Sequence, residues 1–208
     1  MTGPTHKQYS ICFAYLTMML FYNFGITEIN YYPALIIVLM ASKVGALFPD
    51  LDHDWSNVSK ENKTLTTKLI NTLIHITGGK HRSWQTHSID ICAWFTLISY
   101  YLPKYLYNNK IISIVNREVI TILLLGFASG WISHMFADML NGVGVRLVCW
   151  NKKHVALVPK QLFGLRFNTG HEWEAFNYKV VKIINTLLGI ISIIYPLIYY
   201  YIENNNFK

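Results

Sequence analysis

The chain has 208 residues, 52% of them apolar and only 14% charged, with a net charge of +7. That is one domain's worth of protein, read as a single unit over 1–208. Five long apolar runs in so short a chain leave too little polar surface to cover a soluble helical bundle. They also separate the basic loops, which argues against a nucleic-acid-binding protein, so no direct nucleic-acid contact is expected.

The first run, 9–27, follows Thr5-His6-Lys7. It has the outline of a signal peptide, but no small-x-small cleavage site comes after it, so it is read as an uncleaved span. The second run, 31–48, ends at Pro49-Asp50-Leu51-Asp52-His53. The third, 88–107, opens after His81-Arg82-Ser83-Trp84-Gln85-Thr86-His87 and carries Asp90 and Pro103. The fourth, 119–138, closes on His134 and Asp138, and the fifth, 180–202, follows His171-Glu172-Trp173-Glu174. Each is near the ~20 residues that a helix needs to cross ~30 Å of hydrocarbon. The expected fold is therefore an all-α membrane protein with about five transmembrane helices. Segment 69–77 is too short to span and suits a surface-lying or re-entrant helix. Segments 145–150 and 154–158 flank Asn151-Lys152-Lys153 and read as a β-hairpin in a small cap.

Basic residues set the orientation. With the N-terminus inside, the inner segments 1–8, 49–87 and 139–179 hold most of the lysines and arginines, while the third connection outside holds Lys104, Lys110 and Arg117. The chain is thus expected to be multi-pass in the inner (plasma) membrane, its cap in the cytoplasm, where anionic headgroups would attract the positive charge. Cys12, Cys92 and Cys149 are scattered and odd in number. They indicate neither a disulfide framework nor a thiolate metal site.

Histidines and carboxylates recur at one end of every run. In a chain that alternates direction, those ends meet on one face of the bilayer. Gly126, Gly130, His134 and Asp138 recur at steps of four and share one helix face. The glycines would let a neighbouring helix approach, and the His-x-x-x-Asp pair could converge on a metal ion. Ionisable residues at the end of a membrane helix are expensive, which strengthens the reading. Asp50, Asp52 and His53 add three potential ligands. In an extended segment the two aspartates would point the same way and repel unless a cation lies between them. More than one ion would suit that clustering. His81 and His87 supply further imidazoles, with Thr86 or Ser88 near the following helix cap. Arg82 could clamp a phosphate. His75 and His154 lack such neighbours and are read as ordinary surface or packing residues.

At these residues the chain resembles the YdjM-like inner-membrane family. The resemblance runs through Thr5-His6, the Pro49–His53 segment, His81–Ser88, the stretch from Ser133 to Trp150, Thr169-Gly170 and Glu174. It implies a metal-dependent hydrolase, phospholipase-like in substrate, with a link to the LexA-controlled DNA-damage response. By it, His6, Asp50, Asp52, His53, His81, His87, His134, Asp138 and Glu174 inherit a metal or catalytic role. The His-x-x-x-Asp helix is also similar to that of zinc-dependent phospholipase C enzymes.

The expected function is hydrolysis of an ester or phosphoester, with membrane lipid as the substrate class, by a metal-activated water. Arg82 and Glu174 are the expected catalytic side chains; His6, Asp50, Asp52, His53, His81, His87, His134 and Asp138 the expected ligands. Mixed nitrogen and oxygen donors suit Zn, with Mn or Fe as alternatives. No Gly-x-Ser-x-Gly elbow occurs, which argues against a covalent serine mechanism. Two rivals remain: a metal-ion transporter, which would need polar residues near mid-membrane, and a non-catalytic metal-binding regulatory membrane protein.

Overall fold

A computed structural model of the chain describes residues 3–26, 29–52, 72, 76, 84–141, 144–158, 161–162, 165–166 and 172–205. Among these residues there are five helices: α1 (Gly3–Asn23), α2 (Tyr31–Leu47), α3 (Ile89–Asn108), α4 (Ile114–Met139) and α5 (Glu172–Asn205). Each coincides with one of the five apolar runs. Two of them, α4 and the Glu172–Ile202 part of α5, are long and apolar enough to cross a membrane, and α2 is apolar but shorter. The polar start of α1 and the tyrosine-rich end of α3 dilute those two helices.

Three local readings change. The first helix begins at Gly3, so His6 lies inside α1 rather than ahead of it. Likewise Glu174 sits in the first turn of α5. The segment Pro49–Asp52 is a 3-10 turn and not an extended strand. Asp50 and Asp52 are therefore not displayed on one face by strand alternation. The segment 69–77 lies outside the described residues apart from Thr72 and Ile76, as does His75.

The cap contains the expected hairpin. Strands β1 (Val145–Arg146) and β2 (His154–Val155) pair antiparallel, Val145 opposite Val155 and Arg146 opposite His154. A second short pair, β3 (Gln161–Leu162) with β4 (Leu165–Arg166), was not foreseen from sequence. Gly144 enters the hairpin at φ 68°, and a Cβ there would lie 2.4 Å from the Val155 carbonyl oxygen. Asp90 fastens the cap to α3. Its carboxylate accepts hydrogen bonds from the Ser88 hydroxyl, from the backbone N–H of Ile91 at 2.9 Å and from that of Cys149 at 3.0 Å. That accounts for an acidic residue at the head of an apolar run.

Helix α4 is the centre of the bundle, in contact with α1, α2 and α3, while α5 rests on α1. Between α1, α2 and α4 lies an apolar core that includes Ala14, Met18, Ala34, Val38 and Ile122, all fully buried. Beneath it the helices meet through small residues. A Cβ added at Gly45 would fall 2.0 Å from the Phe127 carbonyl oxygen, and one at Gly130 would fall 1.9 Å from that of Ser42. The backbones of α2 and α4 are in contact there, as the glycine spacing predicts. Buried Ser42 donates across to the Ser10 carbonyl at 2.9 Å, and Thr17 and Ser129 hydroxyls pair at 2.8 Å. Such hydrogen bonds and close packing hold helices together where lipid removes the hydrophobic drive.

Gly130→Ala is expected to force α2 and α4 apart, costing about 1–3 kcal/mol as overpacking does. Gly3, with nothing within 4 Å of an added Cβ, should tolerate the same change. Thermal melting in detergent measures both.

Candidate metal centre

Four elements deliver side chains to one buried point. Helix α1 brings His6 in its first turns, the 3-10 turn after α2 brings Asp50, and the residue before the Ser88 N-cap of α3 is His87. His134 and Asp138 come from the last two turns of α4. His6, His87, His134 and Asp138 are each no more than 1% exposed. Asp50 is 21% exposed and lies at the edge.

The Asp138 carboxylate is the hub. Its Oδ1 lies 3.6 Å from His6 Nε2, and its Oδ2 lies 3.7 Å from both His87 Nε2 and His134 Nε2. Asp50 Oδ1 lies 3.8 Å from His134 Nε2. All four separations are too long for hydrogen bonds. They are close to the spacing of two ligands around one ion with bonds of about 2.0–2.2 Å. The His6 and His134 rings stack at 3.8 Å with 12° between planes, and His87 meets His134 edge-on at 5.3 Å.

The outer contacts orient the rings. His134 Nδ1 lies 2.7 Å from the Ala46 carbonyl oxygen. A carbonyl can only accept, so Nδ1 carries the proton and Nε2 presents its lone pair to the cluster. That Nε2 has no hydrogen-bond partner among the described residues, and neither has His6 Nδ1. His87 Nδ1 meets the Thr86 hydroxyl at 2.9 Å, and the Thr86 carbonyl accepts from Trp131 Nε1 at 2.8 Å. Trp131 is wedged against Phe48 and Phe95. Thr5 donates to Glu174 Oε1 at 2.9 Å, which joins the head of α5 to the turn carrying His6.

Among the described residues there are two candidate ligand groups, His6 with Asp50 and His134, and His87 with His134 and Asp138. They share His134, whose Nε2 has a single lone pair, so they would form parts of one coordination shell. The donor chemistry fits a divalent cation: neutral imidazole nitrogens and carboxylate oxygens, buried together, with a lone pair that nothing else engages. Cys149, in the cap, belongs to neither group.

The structure thus brings together His6, Asp50, His87, His134 and Asp138. Glu174 stands apart from both groups, bonded to Thr5. His53, His81, Arg82 and His171 lie outside the described residues, as does the Asp52 side chain. His154 is exposed on β2, in keeping with a surface role. Sequence reasoning missed the orienting part of Thr86 and of the Ala46 carbonyl. Thr86 carried a signal, being a hydroxyl next to a ligand histidine; a backbone carbonyl carries none.

No curated protein and no solved structure matches this chain. A family model described as YdjM inner membrane protein matches residues 1–205. That match covers the bundle, the cap and every residue of the cluster, and the chain belongs to the YdjM inner membrane protein family.

Proposed function

We propose that this inner membrane protein is a metal-dependent hydrolase, acting on an ester or phosphoester of a membrane lipid from the cytoplasmic face. The observation that supports it is the buried convergence of three imidazoles on Asp138, with the His134 Nε2 lone pair directed into it. His6, His87, His134 and Asp138 would hold the cation, with Asp50 at its edge. Zn fits the donor set, and Mn or Fe are the alternatives. A second ion would draw on Asp52, His53 and His81. When bound, a divalent cation would polarise the scissile bond and make a nearby water acidic.

The protein's own groups supply the rest. The Ala46 carbonyl fixes the His134 tautomer, and Thr86 steadies His87. Partly exposed Asp50 marks the side from which water and substrate enter, and it is placed to accept a proton. Glu174, through Thr5, helps position the turn that carries His6, and it keeps the catalytic role proposed for it from sequence. Arg82 is proposed to neutralise charge developing on the substrate.

The same reading has all five helices crossing the bilayer. Helices α1 and α3, of 21 and 20 residues, are about 30 Å long, enough to span. Entry ends of α1, α3 and α5 then share the cytoplasmic face with exit ends of α2 and α4. Single cysteines from Lys63→Cys and Lys153→Cys, in a cysteine-free background, should resist an impermeant thiol reagent in intact cells. Asn205→Cys should react. Labelling of Lys63→Cys and Lys153→Cys from opposite sides would defeat this arrangement.

Detergent-purified protein should contain a stoichiometric transition metal by elemental analysis, and should release it as pH falls and protons compete for the ligands. His134→Ala and Asp138→Ala should lose the metal. Thr86→Val should weaken its affinity about 10–100-fold, as loss of an outer-shell partner does. Absence of metal, with no binding of added Zn or Mn, would falsify the site.

A screen of phospholipid and phosphoester hydrolysis tests the chemistry. Turnover should be present in the parent protein, abolished in His134→Ala, and reduced in Arg82→Ala with metal retained. Metal without turnover on any lipid or phosphoester would leave the binding site and sink the hydrolase.

A further inference from the structure

Among the described residues helix α5 packs mainly along α1, with Tyr31 and Tyr32 of α2 also reaching Ser192 and Ile193, and α1 and α5 run parallel through a seam of polar pairs. Thr5 bonds Glu174, Tyr9 donates to Asn177 at 3.3 Å, and Asn185 Nδ2 donates to both the carbonyl and the side-chain oxygen of Gln8, at 2.8 and 2.9 Å. Beside this seam lies a groove of about 400 Å³. Its upper end is polar, formed by Gln8, Lys182 and Asn185; its lower end is apolar, formed by Tyr15, Gly189 and Ile193. The groove side of α1, at Gln8 and Tyr15, is on roughly the opposite face of that helix from His6 at 100° per residue. It is therefore separate from the metal centre.

We propose that this groove is a binding site for one anionic phospholipid of the surrounding membrane. Its polarity gradient has the dimensions of a lipid: Lys182 and Ile193 are about 17 Å apart along α5 at 1.5 Å per residue. The 31-residue apolar part of α5 is about 46 Å long, more than the ~30 Å hydrocarbon slab, so its first turns project and Lys182 stands near the headgroups. The ammonium there pairs with a lipid phosphate. Asn185, only 7% exposed, adds an independent sign. Its Oδ1 accepts no hydrogen bond from any described residue. Below, Gly189 lets the Tyr15 hydroxyl approach α5, since a Cβ there would stand 3.2 Å from it, and with Ile193 they form the apolar wall along which an acyl chain would lie.

The test uses the full chain in detergent, with phosphatidylglycerol or phosphatidylcholine added, followed by native mass spectrometry and thermal melting. One phosphatidylglycerol should bind per chain, about fivefold tighter than phosphatidylcholine, as one lysine near anionic headgroups provides. Lys182→Gln should erase that preference. Gly189→Leu should lose the bound lipid while the metal content of the same sample stays unchanged. Should Gly189→Leu fail to fold, Lys182→Gln, which adds no bulk, decides alone. Equal affinity for the two lipids, or a preference that survives in Lys182→Gln, overturns the proposal. So does a dimer that Gly189→Leu dissociates, because the groove would then hold a second copy of the chain.

Discussion

The backbones of α2 and α4 touch where Gly130 faces Ser42, and everything at the centre follows from that contact. One turn further along α4, the same proximity brings the His134 ring within 2.7 Å of the Ala46 carbonyl oxygen. A wider crossing would leave Nδ1 without its acceptor. The imidazole could then rotate or change tautomer, and the lone pair aimed at Asp138 would be lost. Asp50 depends on the same geometry, because the 3-10 turn that carries it begins immediately after α2 ends. Helix packing and ligand orientation are one constraint here. The glycine stripe and the His-x-x-x-Asp pair are successive steps along one face of α4.

The remaining ligands are placed by contacts of a different kind. His87 is held from three sides: Thr86 on its ring, Trp131 on the Thr86 carbonyl, and the Arg146 backbone N–H on its own carbonyl at 3.1 Å. The last of these reaches in from β1, so the hairpin of the cap has a part in the ring's position. His6 relies on stacking against His134 and on the bond between Thr5 and Glu174. The cluster thus draws on all five helices and the cap, although only two helices and two connecting segments supply the candidate ligands. Such outer support raises ligand basicity and keeps donors in place before an ion arrives.

Much of this was legible from sequence because it depends on spacing along a helix. The run lengths located five helices, the step of four joined two glycines to two ligands, and a polar turn between β-branched residues marked the hairpin. What was not legible depends on the third dimension. Nothing in Ala46 announces that its carbonyl will orient a histidine. Proline and two aspartates permitted an extended reading of 49–52, whereas the end of α2 continues as a 3-10 turn. The seam with α5 did leave a trace, since Asn177, Asn185 and Ser192 recur at steps of eight and seven residues and fall on one side of the helix. The buried pair of Tyr31 and Ser192 hydroxyls, 2.6 Å apart, lies on that line. Read as merely hydrophobic, α5 concealed it.

The bond between Thr5 and Glu174 joins residues 169 apart in the chain, and His6 meets Asp138 across a comparable span. During synthesis the first turn of α1 must therefore be made long before its partners exist. Its histidine waits for α4, and its threonine waits for α5. Closure of the cluster is consequently a late event in assembly, governed by docking of whole helices rather than by local folding. A cation that entered afterwards would bind helices already in register and act as a latch on the finished bundle. The order of synthesis would thus keep the candidate ligands apart while the chain was still incomplete.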